Sequence, residues 1–205
     1  YFAPYEAWPE HQQSAIQLAR GRVLDAGCGA GRVCLHLQNQ GLNVLGIDIS
    51  PLALEVCRLR GVKNLKLISI AEFGPQLGSF DTIVLFGNNF GLLSGFEEGR
   101  RILKNLHALT SPEAVILAES NDRAQTREPA HLAYQKWNLE RGRMPGQLRL
   151  RVRFKQYASA WFDYLIVTKD EMRDIVDGTG WKIERFLDEP ENSMYVAVLE
   201  KDERR

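Results

Sequence analysis

Apolar positions in this chain fall into short runs separated by stretches with a different rhythm. Residues 23–24, 43–47 (NVLGI), 64–68, 80–86 (FDTIVLF) and 114–118 (AVILA) have strand length and are apolar enough to be buried on both faces. Between them, apolar side chains recur at helical spacing, as with Ile102, Leu103, Leu106 and Leu109 inside 92–109. The pattern predicts helices over 10–20 ending at Gly21, over 32–40 before Gly41, and from an N-cap at Ser50 with Pro51 in first position to a stop at Gly61. Strand and helix alternate through five strands, which calls for right-handed crossovers and a parallel sheet.

The second half is less regular. Residues 120–160 form a long connection with a helix predicted over 129–141 and a strand over 148–155. In LRLRVRFK, Leu148, Leu150, Val152 and Phe154 alternate with Arg149, Arg151, Arg153 and Lys155, so one face is apolar and the other basic. Residues 161–167 (WFDYLIV) predict a sixth strand. Thr168 and Glu171 spell a capping box with Val167 and Met172 as its hydrophobic staple, so a helix starts there and ends near 178–180. An amphipathic stretch (181–188) and a last strand (195–201) close the pattern.

Composition narrows the classes. A chain of 205 residues fits one α/β domain spanning 1–205. With 26 basic and 26 acidic residues, no global field draws it to nucleic acid or to an anionic membrane. No apolar run reaches about 18 residues and no secretory signal is visible, so the chain reads as soluble and cytoplasmic with no membrane partner. Cys28, Cys34 and Cys57 show no CxxC or zinc spacing, which leaves no metal site. His11, His36, His107 and His131 are scattered and read as packing or surface residues.

The chemistry concentrates in residues 23–32, VLDAGCGAGR. Gly27, Gly29 and Gly31 alternate through a strand-to-helix turn, where glycine permits positive φ and lets backbone N–H groups approach a ligand. A dinucleotide fingerprint starting at Gly27 needs glycine at position 32, which is Arg32, and Asp25 stands two residues before the first glycine. At the tip of the second strand, Asp48 places a carboxylate where it can accept from both hydroxyls of a ribose.

This run closely resembles the first motif of class I S-adenosylmethionine-dependent methyltransferases, an acidic residue followed by GxGxG after a hydrophobic strand. The resemblance implies a Rossmann-like doubly wound, mostly parallel seven-stranded sheet of order 3-2-1-4-5-7-6, with an antiparallel last strand and an insertion after strand 5. It implies S-adenosyl-L-methionine as cofactor and S-adenosyl-L-homocysteine as product. Cofactor contacts carry over to Asp25, Gly27, Cys28, Gly29, Gly31, Asp48, Ile49, Ala71, Glu72, Phe86, Gly87 and Asn88. The chain departs from the family at Ile70, where many members have an aspartate for the adenine amino group, so adenine recognition moves to backbone near Ala71 or to Glu72, with Ile49 on the ring.

Methyl transfer to a small-molecule acceptor by in-line displacement, without metal, is the expected reaction. The expected acceptor pocket lies among Asn88, Glu119, Asn121, Tyr134, Trp137 and Arg153, with Glu119 or Asp122 as base. Residues 1–21 would form a helical lid in which Tyr5 and Trp8 either roof the pocket or pack on the body, and residues 120–160 a substrate-side insertion. Two alternatives stay open: an RNA acceptor drawn by the basic strand 149–155 with Arg141 and Arg143, and cofactor binding without catalysis.

Overall fold

A computed structural model describes residues 2–202. Its main sheet begins with β1 (Arg22–Ala26), β2 (Asn43–Asp48), β3 (Leu65–Leu67), β4 (Phe80–Leu85) and β5 (Thr110–Asn121), all parallel where they pair. α1 (Glu10–Ile16), α2 (Arg32–Asn39), α3 (Pro51–Leu59) and α4 (Phe96–Ala108) precede or connect them. After β5 come α5 (Pro129–Leu139), the short strands β6 (Gln147–Leu150), β7 (Arg153–Phe154), β8 (Tyr157–Ala158) and β9 (Phe162–Leu165), then α6 (Lys169–Val176), β10 (Trp181–Asp188) and β11 (Met194–Lys201). The seven-stranded sheet runs β10-β11-β5-β4-β1-β2-β3, with β11 antiparallel between β5 and β10. This is the Rossmann-like order that the resemblance implies.

Alternation along each central strand divides the core between the two faces. Leu24, Ile83, Leu85 and Ile116 pack with Ile102, Leu103 and Leu106 of α4 and Met172 and Ile175 of α6. Val23, Val84 and Leu117 pack on the other face with Ala15 and Ile16 of α1, Leu37 of α2 and Leu54 of α3. Local chemistry sets the helix starts as expected. Ser50 Oγ accepts from the Ala53 amide (3.2 Å) with Pro51 in the first turn, and Thr168 and Glu171 close a full capping box.

Two strand expectations are corrected. Residues 161–167 do not join the main sheet; β9 pairs antiparallel with β6 in a separate ribbon, and β10 takes the sixth place. Long-range pairing decides this: β11 matches β5 over seven partners, from Met194↔Asn121 to Glu200↔Val115, and β10 then adds to its far side. The strand expected over 148–155 breaks at 151–152, because beyond Leu150 the chain leaves the body and folds back on itself as the hairpin β7–β8. Smaller shifts occur in the helices. α1 ends at Ile16 rather than 20, and residues Asn89–Leu93 form a 3-10 turn before α4. Among the described residues, no helix is long and apolar enough to cross a membrane.

Candidate active site

The glycine turn lies at the carboxyl end of β1. Gly27, Gly29 and Gly31 have φ of 74°, 55° and 77°, as their sequence pattern predicts. At Gly27 the need for glycine is also steric, since a Cβ there would fall 2.5 Å from Asn89 Nδ2. That amide donates to the carbonyls of Ala26 and Gly27 (2.9 Å each), clamping the loop after β4 onto the turn. No local pattern in the sequence announces this clamp. The turn's own amides are largely spent internally: Gly27 and Cys28 donate to the Ile47 carbonyl, Gly31 to the Cys28 carbonyl, and Gly29 to Asp48 Oδ2 (2.9 Å). The expected cradle of free N–H groups is therefore corrected. What the turn provides is a fixed path, held also by Cys57 Sγ donating to the Gly29 carbonyl (3.1 Å) and by the Arg60 guanidinium on the Ala30 carbonyl.

Two carboxylates flank the turn. Asp25 is 3% exposed, and burial pushes its pKa up to about 6 against the hydrogen bond donated by Cys34 Sγ (3.1 Å). Asp48 is half-buried at the tip of β2, accepting from Gly29 on one oxygen and from the Ser50 amide (2.8 Å) on the other, with further lone pairs open. Beside it Ile49 is 64% exposed, an apolar surface next to the strand tip. Ile70 is buried in the core, and Glu72 is turned to its capping box with Ser69. Cys28 is buried and packs with Cys34 and Cys57 on the α2 and α3 side.

The loop after β4 faces the turn. Phe86 is buried, while a Cβ at Gly87 (φ 77°) would meet nothing within 4 Å, so space opens there. Asn88 adopts a left-handed conformation, and its side-chain oxygen is buried with no hydrogen-bond partner among the described residues. His36 Nε2 and Asn138 Oδ1 are likewise buried without a hydrogen-bond partner among the described residues.

Glu119 is the hub behind this loop. It is 1% exposed and accepts from Gln12 Nε2 on both oxygens (2.8 and 2.9 Å), from His11 Nε2 (2.8 Å), from the Asn88 amide (3.3 Å) and from the Gly87 amide. His11 also reaches Glu189 Oε2 through Nδ1 (2.6 Å). Two carboxylates on one ring require both nitrogens to donate. Burial opposes the imidazolium, but the hydrogen bonds to Glu119 and Glu189 outweigh it and raise the His11 pKa. The sequence reading of Glu119 as a base is corrected by this geometry, because its lone pairs are committed to holding α1 and the Gly87–Asn88 loop together. His11, read as a packing residue, is half of that latch.

A cavity of about 430 Å³ opens beyond the end of β5. Asn121, Asp122 and Tyr134 line it, together with Arg123, Leu148 and Ile166. Alternation and pairing put Leu148 and Tyr164 on one ribbon face, and the Tyr164 hydroxyl donates to the Asn88 carbonyl (2.7 Å). The ribbon thus joins the cavity to the loop after β4, a connection that no local pattern announced. Asn88, Trp137 and Arg153 do not line the cavity. Trp137 stacks on Tyr134 and lies under Arg141, and Arg153 stands on the exposed hairpin. Tyr5 stacks on His36 (4.3 Å) and Trp8 lies under Arg32 (4.5 Å), so both pack on α2 rather than over the cavity.

Comparison with known proteins agrees with this geometry. A family described as a methyltransferase domain matches residues 23–113. A ubiquinone biosynthesis O-methyltransferase of Dechloromonas aromatica is 41% identical over 75 residues, which is 34% of this chain and 32% of that protein. The Bacillus subtilis protein YqeM, named for methyltransferase activity, is 24% identical over 119 residues, covering 56% of this chain and 48% of its own length. The chain spans about half the length of the first curated relatives it matches. A SAM-dependent methyltransferase from Bacteroides fragilis, solved with S-adenosyl-L-homocysteine, superposes with a TM-score of 0.79 at 28% identity over 95% of this chain and 78% of that one. The glycine turn, the sheet order and these matches together support a class I S-adenosylmethionine-dependent methyltransferase domain, matched over residues 23–113, with S-adenosylmethionine as its cofactor.

Proposed function

We propose that the protein transfers the methyl group of S-adenosylmethionine to a small-molecule acceptor held in the cavity beyond β5, with residues 1–205 acting as one unit. The observation that carries this reading is the open space at Gly87, between the glycine turn and the cavity ribbon, with the Asp48 carboxylate and exposed Ile49 at the neighbouring strand tip. Asp48 suits vicinal hydroxyls and Ile49 suits the face of a flat ring, so these residues fit the cofactor. When bound, the cofactor supplies an activated sulfonium methyl, and no metal is needed for the displacement.

The chain's part is positioning. Asn89 and Glu119 hold the loop after β4 against the turn, Tyr164 ties that loop to the ribbon, and Asn121 and Tyr134 orient the acceptor. Asp122 lies on the cavity wall and is the remaining candidate base, although its carboxylate also accepts from the Ala124 amide (3.0 Å). Residues 120–160 form the acceptor wall. Residues 1–21 act as a bolted cover rather than a roof of aromatic contacts. The names of two relatives, the ubiquinone biosynthesis enzyme and a magnesium-protoporphyrin O-methyltransferase of Rhodobacter capsulatus, support a small-molecule acceptor.

A methyl-acceptor screen with labelled cofactor tests the proposal. With the acceptor found, Tyr134→Ala and Asn121→Ala should each raise KM about tenfold or more with little change in cofactor affinity. Unchanged KM in both variants would remove the cavity from the proposal. Turnover with any acceptor ends the reading of binding without catalysis.

A further inference from the structure

The hairpin β7–β8 is the part of the molecule that the methyl-transfer reading does not use. Residues 151–161 leave the β6–β9 ribbon, turn at Lys155 in a left-handed conformation (φ 51°), and return with Arg153 opposite Ala158 and Phe154 opposite Tyr157. The Val152 and Ser159 backbones close the base of the arm, with the Ser159 amide donating to the Val152 carbonyl (2.9 Å). Cross-strand pairing and alternation put Val152, Phe154 and Tyr157 on one face. They are 64%, 67% and 61% exposed, and Trp161 at the arm's base is 54% exposed. A continuous apolar face this open is uncommon on a soluble surface and marks a contact.

The charge on the same arm selects the partner. No Asp or Glu occurs between 141 and 162. Arg143 and Arg149 are paired with Asp163 (3.0 and 3.4 Å), whereas Arg151, Arg153 and Lys155 make no ion pair among the described residues. Arg151 instead lies over the Trp161 ring (4.9 Å) and Lys155 over Phe154 (5.4 Å), so cations and rings stand side by side. Two like arms would repel, and eleven residues fall short of the roughly 20–30 a side of a standard protein interface. Single-stranded nucleic acid would use the rings and the cations but leave aliphatic Val152 without a role. An anionic bilayer uses every one of these groups. Aromatic and aliphatic side chains enter the boundary between headgroups and acyl chains, and long Arg and Lys side chains reach back to the phosphates.

We propose that this arm docks the protein peripherally on anionic bilayer surfaces, with Val152, Phe154 and Tyr157 at the acyl boundary and Arg151, Arg153 and Lys155 on lipid phosphates. This replaces the sequence expectation of no membrane partner, which rested on the absence of a spanning segment and of a global charge.

Co-sedimentation of the full chain with phosphatidylcholine vesicles containing about 30% phosphatidylglycerol tests it, against vesicles of phosphatidylcholine alone. Binding is expected to the anionic vesicles only and to fall as salt rises. Arg151→Glu with Arg153→Glu should lower partitioning about twenty-fold or more, and Phe154→Ser with Tyr157→Ser several-fold at unchanged unfolding temperature. The proposal is overturned if the wild-type chain ignores anionic vesicles, or if neither pair of changes alters binding. It is overturned equally if these changes abolish a solution dimer or RNA binding while vesicles are never bound. The readout involves no methyl transfer, so its failure is separate from failure of the proposed function.

Discussion

Replacing Glu119 by Gln is the most informative single change. The carboxylate is 1% exposed and takes hydrogen bonds from His11, Gln12, Gly87 and Asn88, every one of them a donor. A carboxamide of the same shape keeps one acceptor oxygen and turns an N–H₂ group toward two or three of those donors, whichever way it is oriented. It also leaves His11 with one carboxylate, Glu189, in place of two. Removing one partner of a buried charged pair costs about 3–5 kcal/mol. For a domain of this size that is a fall in Tm of about 6–20 °C. Thermal unfolding of ligand-free protein at pH 6 measures it, with a His11→Gln and double-variant cycle to isolate the coupling. A coupling above about 1 kcal/mol is expected for groups that share one network. Glu119→Gln with an unchanged Tm and abolished turnover would refute the tether and return Glu119 to the role of a base.

Three further predictions concern neighbouring groups. Because the folded pKa of His11 is raised above its ordinary 6.5, the stability it contributes is complete below that value and is lost as pH rises through the folded pKa; the Tm gap between wild type and His11→Gln should therefore shrink from pH 6 upward in a thermal pH series. Asp25 titrates in the opposite sense to a paired carboxylate. Its pKa rises from 3.8 to about 6 on folding, so ionising it costs stability between those values, and the stability of Asp25→Asn relative to wild type should improve by about 3 kcal/mol between pH 3.5 and pH 7.5 in denaturant titrations of ligand-free protein. A flat difference across that range would remove the buried-charge account. Tyr164→Phe deletes the hydrogen bond to the Asn88 carbonyl, worth about 1 kcal/mol, and should lower kcat several-fold while Tm moves by only a few degrees.

What the sequence determined by itself was everything governed by neighbours along the chain. The apolar runs of β1, β2, β4 and β5, the caps at Ser50 and Thr168, and the positive φ of Gly27, Gly29 and Gly31 follow from side-chain alternation, local hydrogen bonds and the missing Cβ. The cofactor was legible through the family resemblance that this turn and Asp25 carry, with Asp48 adding only a place for a ribose. Tertiary structure decided what depends on groups far apart in sequence. Residues 161–167 have the composition of a core strand, yet β11 fits β5 over a longer register and excludes them from the sheet. Glu119 looked like a strand-end carboxylate free for chemistry until His11 and Gln12, more than a hundred residues away, were folded onto it. The alternation in 148–155 announced an apolar and a basic face, but whether that apolar face is buried depends on what packs against it. In this fold only Leu148 reaches the cavity wall, and the remainder stands in the open.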